Sequence, residues 1–272
     1  MTPVRFDLDF RATDELRDDQ RWSTYWDVQR LCRGPEPRPG WVVEDRAAID
    51  TELGVLKTGK EADVFLLHRG VPGDDGVTMA AKRYRGEEHR TFHRGAEYAE
   101  GRRVRSTRDT RAMAKKTRFG REVAAAQWAW AEWEALKRFW AVGVPVPYPV
   151  QVDGTEILME LVTAPDGTPA PRLVGTRPDT AELESYLAQV REVLGSLARA
   201  GVVHGDLSPY NVLAAGGRLV VIDLPQVVDL VANPAGPDFL LRDCHNMCTW
   251  FRRRGLDVDE HDLFAEVIAQ VF

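Results

Sequence analysis

The stretch His204-Gly205-Asp206-Leu207-Ser208-Pro209-Tyr210-Asn211 sets a carboxylate and an amide in one polar loop with four residues between them. Twelve residues after Asn211, the apolar run Leu219-Val-Val-Ile222 ends in a second carboxylate, Asp223. These residue types suit phosphoryl transfer. Asp206 can orient or deprotonate an attacking hydroxyl. The amide oxygen of Asn211 and the carboxylate of Asp223 are the hard oxygen donors that Mg²⁺ takes when it bridges phosphates. The Asp-x₄-Asn spacing lets both side chains turn toward one point, and Asp223 reaches that point from the adjoining strand. A lone HGD fits an ordinary turn. HGD with Asn211, followed by a strand that ends in Asp, is not explained by turn chemistry. His204 itself reads as a packing and hydrogen-bonding residue rather than a base.

Two upstream residues complete the set. Lys82 ends a predicted strand (Ala80-Ala81-Lys82) and can pair with the α- and β-phosphates, provided that a glutamate on a nearby helix holds it. The helix predicted over 121–140 offers Glu132 and Glu134. Around Glu132 the i±3 and i±4 neighbours are Trp128, Ala129, Ala135 and Leu136, so it sits in the apolar stripe. Glu134 has Lys137 and Arg138 at i+3 and i+4, the mark of a solvated pair. A carboxylate inside an apolar stripe needs a buried partner, so Glu132 is expected to hold Lys82. The Cys244-His245-x-x-Cys248 stretch lacks enough ligands for a metal site, and its cysteines fall on an apolar stripe. Core packing is expected there.

The elements that must position these groups follow from periodicity. Residues 53–67 read as strand, turn, strand, followed by a turn at 71–76 and the strand ending at Lys82. Gly143 and the prolines Pro145, Pro147 and Pro149 end the helix over 121–140. Residues 156–162 read as a strand. A second helix spans 179–200, with Leu183, Tyr186, Leu187, Val190, Val193, Leu194 and Leu197 at helical spacing, a cap at Asp179 or Thr180, and a stop at Gly201. Two short β segments flank the 204–211 loop, and helices are expected over 238–254 and 259–271. The chain is thus β-rich before residue 162 and α-rich after it. This predicts an α+β fold of two lobes, with a five-stranded N-lobe sheet plus helix and a reduced helical C-lobe. The expected divisions are 1–40, an extension with a short helix near Leu16–Arg30 and a Pro-rich linker at 34–40; 41–162, the N-lobe; and 163–272, the C-lobe.

The 272 residues carry a net charge of −6, with 44% apolar and 29% charged residues. This excludes collagen-like, coiled-coil and low-complexity classes. No apolar run approaches the roughly 18 residues of a membrane span. The acidic first sixteen residues do not resemble a signal peptide, and three cysteines make no disulfide framework, so a reduced cytoplasmic setting is expected, without a membrane. Charge is uneven. Residues 83–121 hold thirteen Lys/Arg against five Asp/Glu. This block, about 86–120 as an insertion, reads as a flexible solvated loop or a surface for polyanions, whether a nucleic acid such as RNA, ATP phosphates or an acidic partner. Ser106, Thr107, Thr110 and Thr117 within it are candidate sites of self-phosphorylation.

The chain resembles the RIO-type atypical protein kinases. The resemblance rests on Lys57-Thr-Gly-Lys-Glu-Ala-Asp-Val64, Ala80-Ala-Lys82, Glu132-x₃-Leu136, Val144-Pro-Val-Pro147, Leu158-Met-Glu160, Pro169-Ala-Pro-Arg-Leu173, the 204–211 loop, Ile222-Asp-Leu-Pro-Gln226 and Phe239-Leu-Leu-Arg-Asp-Cys244. It runs from about residue 50 to the C-terminus. The basic insertion resembles the flexible loop of the first RIO branch, whereas Ile222-Asp-Leu-Pro-Gln226 leans toward another. The resemblance implies ATP and Mg²⁺ as cofactors, with Mn²⁺ an acceptable substitute, and a protein substrate or the chain itself as acceptor. Residue by residue, it implies that Thr58, Gly59 and Lys60 form the phosphate loop and that Lys82 pairs with phosphates and Glu132. Met159 would be the gatekeeper, and the backbone of Glu160 and Val162 would hold adenine. Asp206 would be the catalytic Asp, and Asn211 and Asp223 the metal ligands.

Three departures from ordinary protein kinases carry consequences. Gly205 stands where an Arg usually precedes the catalytic Asp, so switching through an activation-loop phosphate is not expected. Leu224-Pro225 follows Asp223, and proline restricts a flip of that segment. Forty-nine residues follow Asp223, too few for a long peptide-binding platform. Three activities fit these residues: a serine/threonine protein kinase that also phosphorylates itself, an ATP-driven binding switch on an RNA–protein (ribosomal) particle, and an aminoglycoside-type phosphotransferase. The third usually has a larger helical C-terminal region.

Overall fold

The computed structural model describes residues 16–85, 118–224 and 227–271. Most of the basic block, with Ser106, Thr107, Thr110 and Thr117, lies outside them, as do Pro225 and Gln226. The N-lobe is an antiparallel sheet in the order β1-β2-β3-β4-β6-β5, formed by β1 (Gln20–Trp22), β2 (Ile49–Thr58), β3 (Ala62–Gly70), β4 (Val77–Tyr84), β5 (Pro149–Asp153) and β6 (Glu156–Glu160). Five strands were expected and six are found. The sixth, β1, comes from the stretch expected to be helical. Gln20, Arg21 and Trp22 pair with Thr51, Asp50 and Ile49, so the sheet edge takes up their backbone groups. Turns and one short 3₁₀ segment, Arg30–Cys32, follow in place of a helix.

Residues 16–48 cover the outer face of the sheet. Tyr25 is fully buried in a cluster with Leu67, Met79, Ala81, Tyr148, Val150 and Leu158. The Pro-rich stretch is held down as well. Tyr148 Oη donates to Pro35 O at 2.9 Å, and Gly34 lies so close that a Cβ there would stand 2.1 Å from Pro149 O. Beneath this cover lies a buried ion pair. Arg69 donates from Nε and Nη2 to both oxygens of Asp50, at 2.6 and 2.9 Å, and from Nη1 to Gln151 at 2.9 Å. Gln151 in turn donates to Thr24 at 2.8 Å. The bidentate carboxylate and the Gln151 amide oxygen give the guanidinium charged and polar acceptors, which is what lets an arginine lie fully buried between sheet and cover.

Helix α1 (Arg118–Ala141) crosses the inner face of the sheet. Ala125, Ala129, Trp133, Leu136 and Phe139 form its buried stripe. Apolar packing then continues through Val144 and Val146 into the C-lobe, so the lobes share a spine behind the cleft. In the C-lobe, α2 (Thr180–Arg199) carries the expected buried stripe. Its N-terminus is closed by a capping box between Asp179 and Glu182. The remaining elements are β7 (Val202–Val203), the β8–β9 hairpin (Val212–Ala215 and Arg218–Val221), β10 (Val228–Asp229), α3 (Gly236–Arg252) and α4 (Glu260–Ile268). Gly216 and Gly217, with φ of 59° and 87°, make the hairpin turn, a pair of positive values that glycine adopts without cost. Among the described residues no helix is long and apolar enough to cross a membrane.

Candidate active site

The site lies where β2–β4 face the 204–223 segment. On the N-lobe side, cross-strand register sets one row across the sheet: Lys57 opposite Val64, Val64 opposite Lys82, and Lys82 opposite Ile157. Residues directly opposite share a face, so Lys57 and Lys82 point to the same side as Val64, which packs on the main core. Lys82 Nζ donates to Glu132 Oε1 at 2.7 Å and to Asp223 Oδ1 at 2.8 Å. It is Glu132 that reaches Lys82. Glu134 is half exposed and pairs with Lys137 at 2.7 Å. The other oxygen of Glu132 accepts from Tyr84 Oη, and Leu224 N–H donates to Oε1 at 3.3 Å. This buried carboxylate therefore ties together β4, α1 and the segment after Asp223. Burial works against a charged amine at Lys82, but Asp223 and Glu132 outweigh it and hold its pKa well above the ordinary range. Lys82 in turn depresses the Asp223 carboxyl against the opposing effect of burial. Both groups are charged in the unliganded fold.

The segment expected to cover phosphates, Thr58 to Lys60, is the β2–β3 turn. Gly59 N–H donates to Ala62 O at 3.0 Å, and a Cβ on Gly59 would lie 2.7 Å from that same oxygen. The single glycine of the turn is required by this close approach. Thr58 and Lys60 are exposed on either side of it. At the other end of the cleft Met159 is buried. Glu160 is tied to Tyr148 twice, its N–H donating to Tyr148 O at 2.9 Å and its carboxylate accepting from Tyr148 N–H at 3.0 Å. The carbonyl of Val162 accepts from Ala170 N–H at 2.9 Å. Its own N–H has no acceptor among the described residues.

On the C-lobe side, Asn211 Nδ2 donates to Asp206 O at 2.9 Å, which leaves the Asn211 amide oxygen to accept or ligate. Ile222 N–H donates to Asn211 O at 2.9 Å, fixing the strand that delivers Asp223. The Asp223 backbone has φ 66°, the left-handed region that non-glycine residues seldom occupy, and its side chain is 45% exposed. Strained positions of this kind persist where the surroundings over-determine them and cluster at functional sites. His204 is fully buried, with Nε2 3.2 Å from Ile222 O and Nδ1 accepting from Asp206 N–H at 3.3 Å. A carbonyl only accepts, so Nε2 carries the proton. Burial lowers the pKa of His204, so the ring is neutral and acts as a brace.

A hard, all-oxygen donor set fits a divalent cation held by one amide oxygen, one carboxylate and the phosphates of a nucleotide. Asn211 and Asp223 supply that set. The Cys244 and Cys248 thiols are buried, and burial pushes them up to about 12 and about 11. They are core residues.

One positioning residue escaped the sequence reading. Asp243, on α3, is fully buried. It accepts Leu207 N–H at 2.8 Å on one oxygen and Gly205 N–H at 2.9 Å on the other. Arg242 Nη2 donates to Gly205 O at 2.7 Å. Gly205 has φ 81°, which explains a glycine where other kinases carry Arg. Burial lifts Asp243 to about 7 although the two N–H donors pull it down. The signal was present in the sequence: Asp243 stands inside an apolar stripe with Phe239, Cys244 and Met247, as Glu132 does on its own helix. Asp243→Asn puts an NH₂ against one of the two N–H groups, leaving a buried donor unsatisfied at a cost of about 1–3 kcal/mol. The expected result is a lower melting temperature and a reduced kcat with ATP KM little changed, because the loop that loosens carries Asp206. An unchanged kcat in a variant that melts early would show that Asp243 serves stability alone.

Comparisons with known proteins agree with this geometry. The family model described as the RIO domain matches residues 70–263. The chain is 39% identical over 216 residues to the RIO-type serine/threonine-protein kinase Rio1 of Haloferax volcanii, covering 79% of this chain and 68% of that one. It is 31% identical over 206 residues to the serine/threonine-protein kinase RIO1 of Caenorhabditis elegans, covering 75% of this chain but 38% of the longer relative. Among solved structures, the Rio2 kinase–ADP/Mg²⁺–phosphoaspartate complex from Chaetomium thermophilum matches with a TM-score of 0.54 at 20% identity, over 80% of this chain and 62% of that one. That likeness is one of fold. From the matched domain and the sequence identity together, the chain belongs to the family of RIO-type serine/threonine kinases.

Proposed function

We propose that the chain transfers the γ-phosphoryl group of ATP to serine or threonine hydroxyls of a protein, its own included. The observation that carries this reading is the convergence of Lys82, Glu132 and Asp223 from three elements within hydrogen-bond distance, beside the loop of Asp206 and Asn211. In this reading Lys82, held by Glu132, binds the α- and β-phosphates. Met159 and the backbone of Glu160 and Val162 bind adenine, and the turn at Thr58, Gly59 and Lys60 covers the phosphates. Mg²⁺, or Mn²⁺ in its place, would be held by Asn211 and Asp223 and would neutralise charge on the phosphates. Asp206 orients the acceptor hydroxyl and takes its proton as the O–P bond forms, while the bond to ADP breaks and its electron pair leaves with ADP. The free cysteines suit a reducing, cytoplasmic setting.

A second outcome is favoured by the exposed, strained carboxylate of Asp223 and by the phosphoaspartate in the name of the fungal Rio2 structure. Here an Asp223 oxygen attacks the γ-phosphorus, ADP departs with the bonding pair, and water later releases phosphate. γ-Labelled ATP incubated with pure protein separates these. Label stable to hydroxylamine on Ser or Thr is the expected result. Hydroxylamine-labile label on Asp223, or free phosphate alone, would replace the kinase reading with an ATPase one.

A further inference from the structure

Two cations beside the site have no role so far. Lys57 is the residue before the phosphate loop and shares a sheet face with Lys82 through Val64. Arg172 belongs to the other lobe. Its backbone bridges Leu213, and the neighbouring Pro171 accepts Ala214 N–H at 2.9 Å. It therefore stands on the β8–β9 hairpin, whose ends lead into Asn211 and Asp223. Neither side chain hydrogen-bonds or ion-pairs with any described residue. Lys82, by contrast, already holds two carboxylates.

We infer that Lys57 and Arg172 close on the γ-phosphate of bound ATP from opposite lobes, so that triphosphate is held more tightly than diphosphate. The inference rests on the phosphotransfer reading. Three points of geometry carry it. The two cations come from opposite walls of the cleft. Both lie within electrostatic reach of one anion, Asp223. Among the described residues neither has a hydrogen-bond or ion-pair partner, so both are available to a multiply charged ligand. The electrostatics agree. Burial, Arg172 and Lys82 lower the Lys57 amine while Asp223 opposes them, and burial lowers Arg172 while Asp223 again opposes. The charges are thus close enough to act on one another. An incoming dianionic γ-phosphoryl group relieves that repulsion, whereas ADP stops one phosphate short of it. Bidentate guanidinium–phosphate contact is the strong form of such recognition.

The test uses Lys57→Met and Arg172→Met in the full chain, with MgADP and a non-hydrolysable Mg-ATP analogue titrated by calorimetry. Each variant is expected to weaken the triphosphate analogue about ten-fold, one charge-assisted contact's worth, and to leave ADP affinity within about two-fold. Lys57→Arg and Arg172→Lys should keep most of the preference, which also guards against a substitution that only disturbs folding. Equal losses for both nucleotides, or no loss for either, would overturn the assignment. If wild-type protein binds neither nucleotide, the phosphotransfer reading fails with it. If wild type binds both and the variants do not discriminate, only the role of Lys57 and Arg172 is lost.

Discussion

Lys82→Met is expected to abolish phosphoryl transfer and also to destabilise the fold, and the two effects are separable. The amine is 14% exposed and touches two carboxylates, of which Glu132 is 2% exposed. Removing the amine leaves Glu132 as a buried anion with, among the described residues, Tyr84 Oη and Leu224 N–H for partners. Breaking a buried pair from one side costs roughly 3–5 kcal/mol. At about 2–4 °C per kcal/mol for a chain of this size, the melting temperature should drop by roughly 6–20 °C. Glu132→Gln removes the orphaned charge, so the double variant Lys82→Met/Glu132→Gln should recover most of the lost stability and none of the activity. Thermal unfolding and phosphorylation assays on the two singles and the double decide the matter. A double variant no more stable than Lys82→Met would show that Lys82 and Glu132 are not coupled in the way their 2.7 Å contact implies.

The same pair shows how much of the site was legible in the sequence. Glu132 could be told from Glu134 without coordinates, because the helical repeat puts one in the apolar stripe and the other beside two cations. Asp206, Asn211 and Asp223 could be grouped because a loop of four intervening residues and one short strand leave their side chains few directions to take. The fold's gross division was equally readable, as period-two strands give way to period-3.6 helices near residue 162. Three things were not readable. Residues 20–22 read as helix because local aromatic spacing resembled one, yet an open sheet edge pairs them with 49–51, and tertiary pairing overrode local pattern. Tyr84 as a ligand of Glu132 depended on the two-residue alternation that carries it to the same face as Lys82, a relation visible only once strand and helix are docked. The approach of Arg172 to Asp223 is a property of the chain path. Fifty residues lie between the two in the chain, and a bridge from Arg172 to Leu213 is what brings them to one site.

Asp206 and Asp223 should fail in different ways when each is changed to Asn. The Asp206 backbone donates its N–H to His204 and accepts from Asn211 through its carbonyl. Neither bond is altered by Asp206→Asn, and neither is any group proposed to hold the nucleotide. MgATP affinity should therefore stay near wild type while kcat falls about 10²–10⁴-fold, the usual worth of a positioned acid–base group. Asp223 has the charged bond to Lys82 at 2.8 Å and the proposed place of anionic member in an oxygen donor set, and Asn can keep neither. Outer-shell substitutions at metal sites commonly cost 10–100-fold in metal affinity, and loss of a charged ligand should cost at least as much. Asp223→Asn should therefore weaken nucleotide binding roughly 10–100-fold in the presence of Mg²⁺ and much less in EDTA, with turnover lost as well. The left-handed backbone at φ 66° makes Asn the right probe, because Asn tolerates that region better than Ala does and strain is not added to the loss of charge. Titration of ATP with and without Mg²⁺ on both variants reads the difference. Equal losses of MgATP affinity would mean that Asp206 also holds the metal, and a loss at Asp223 that persists undiminished in EDTA would mean that Asp223 acts through Lys82 alone.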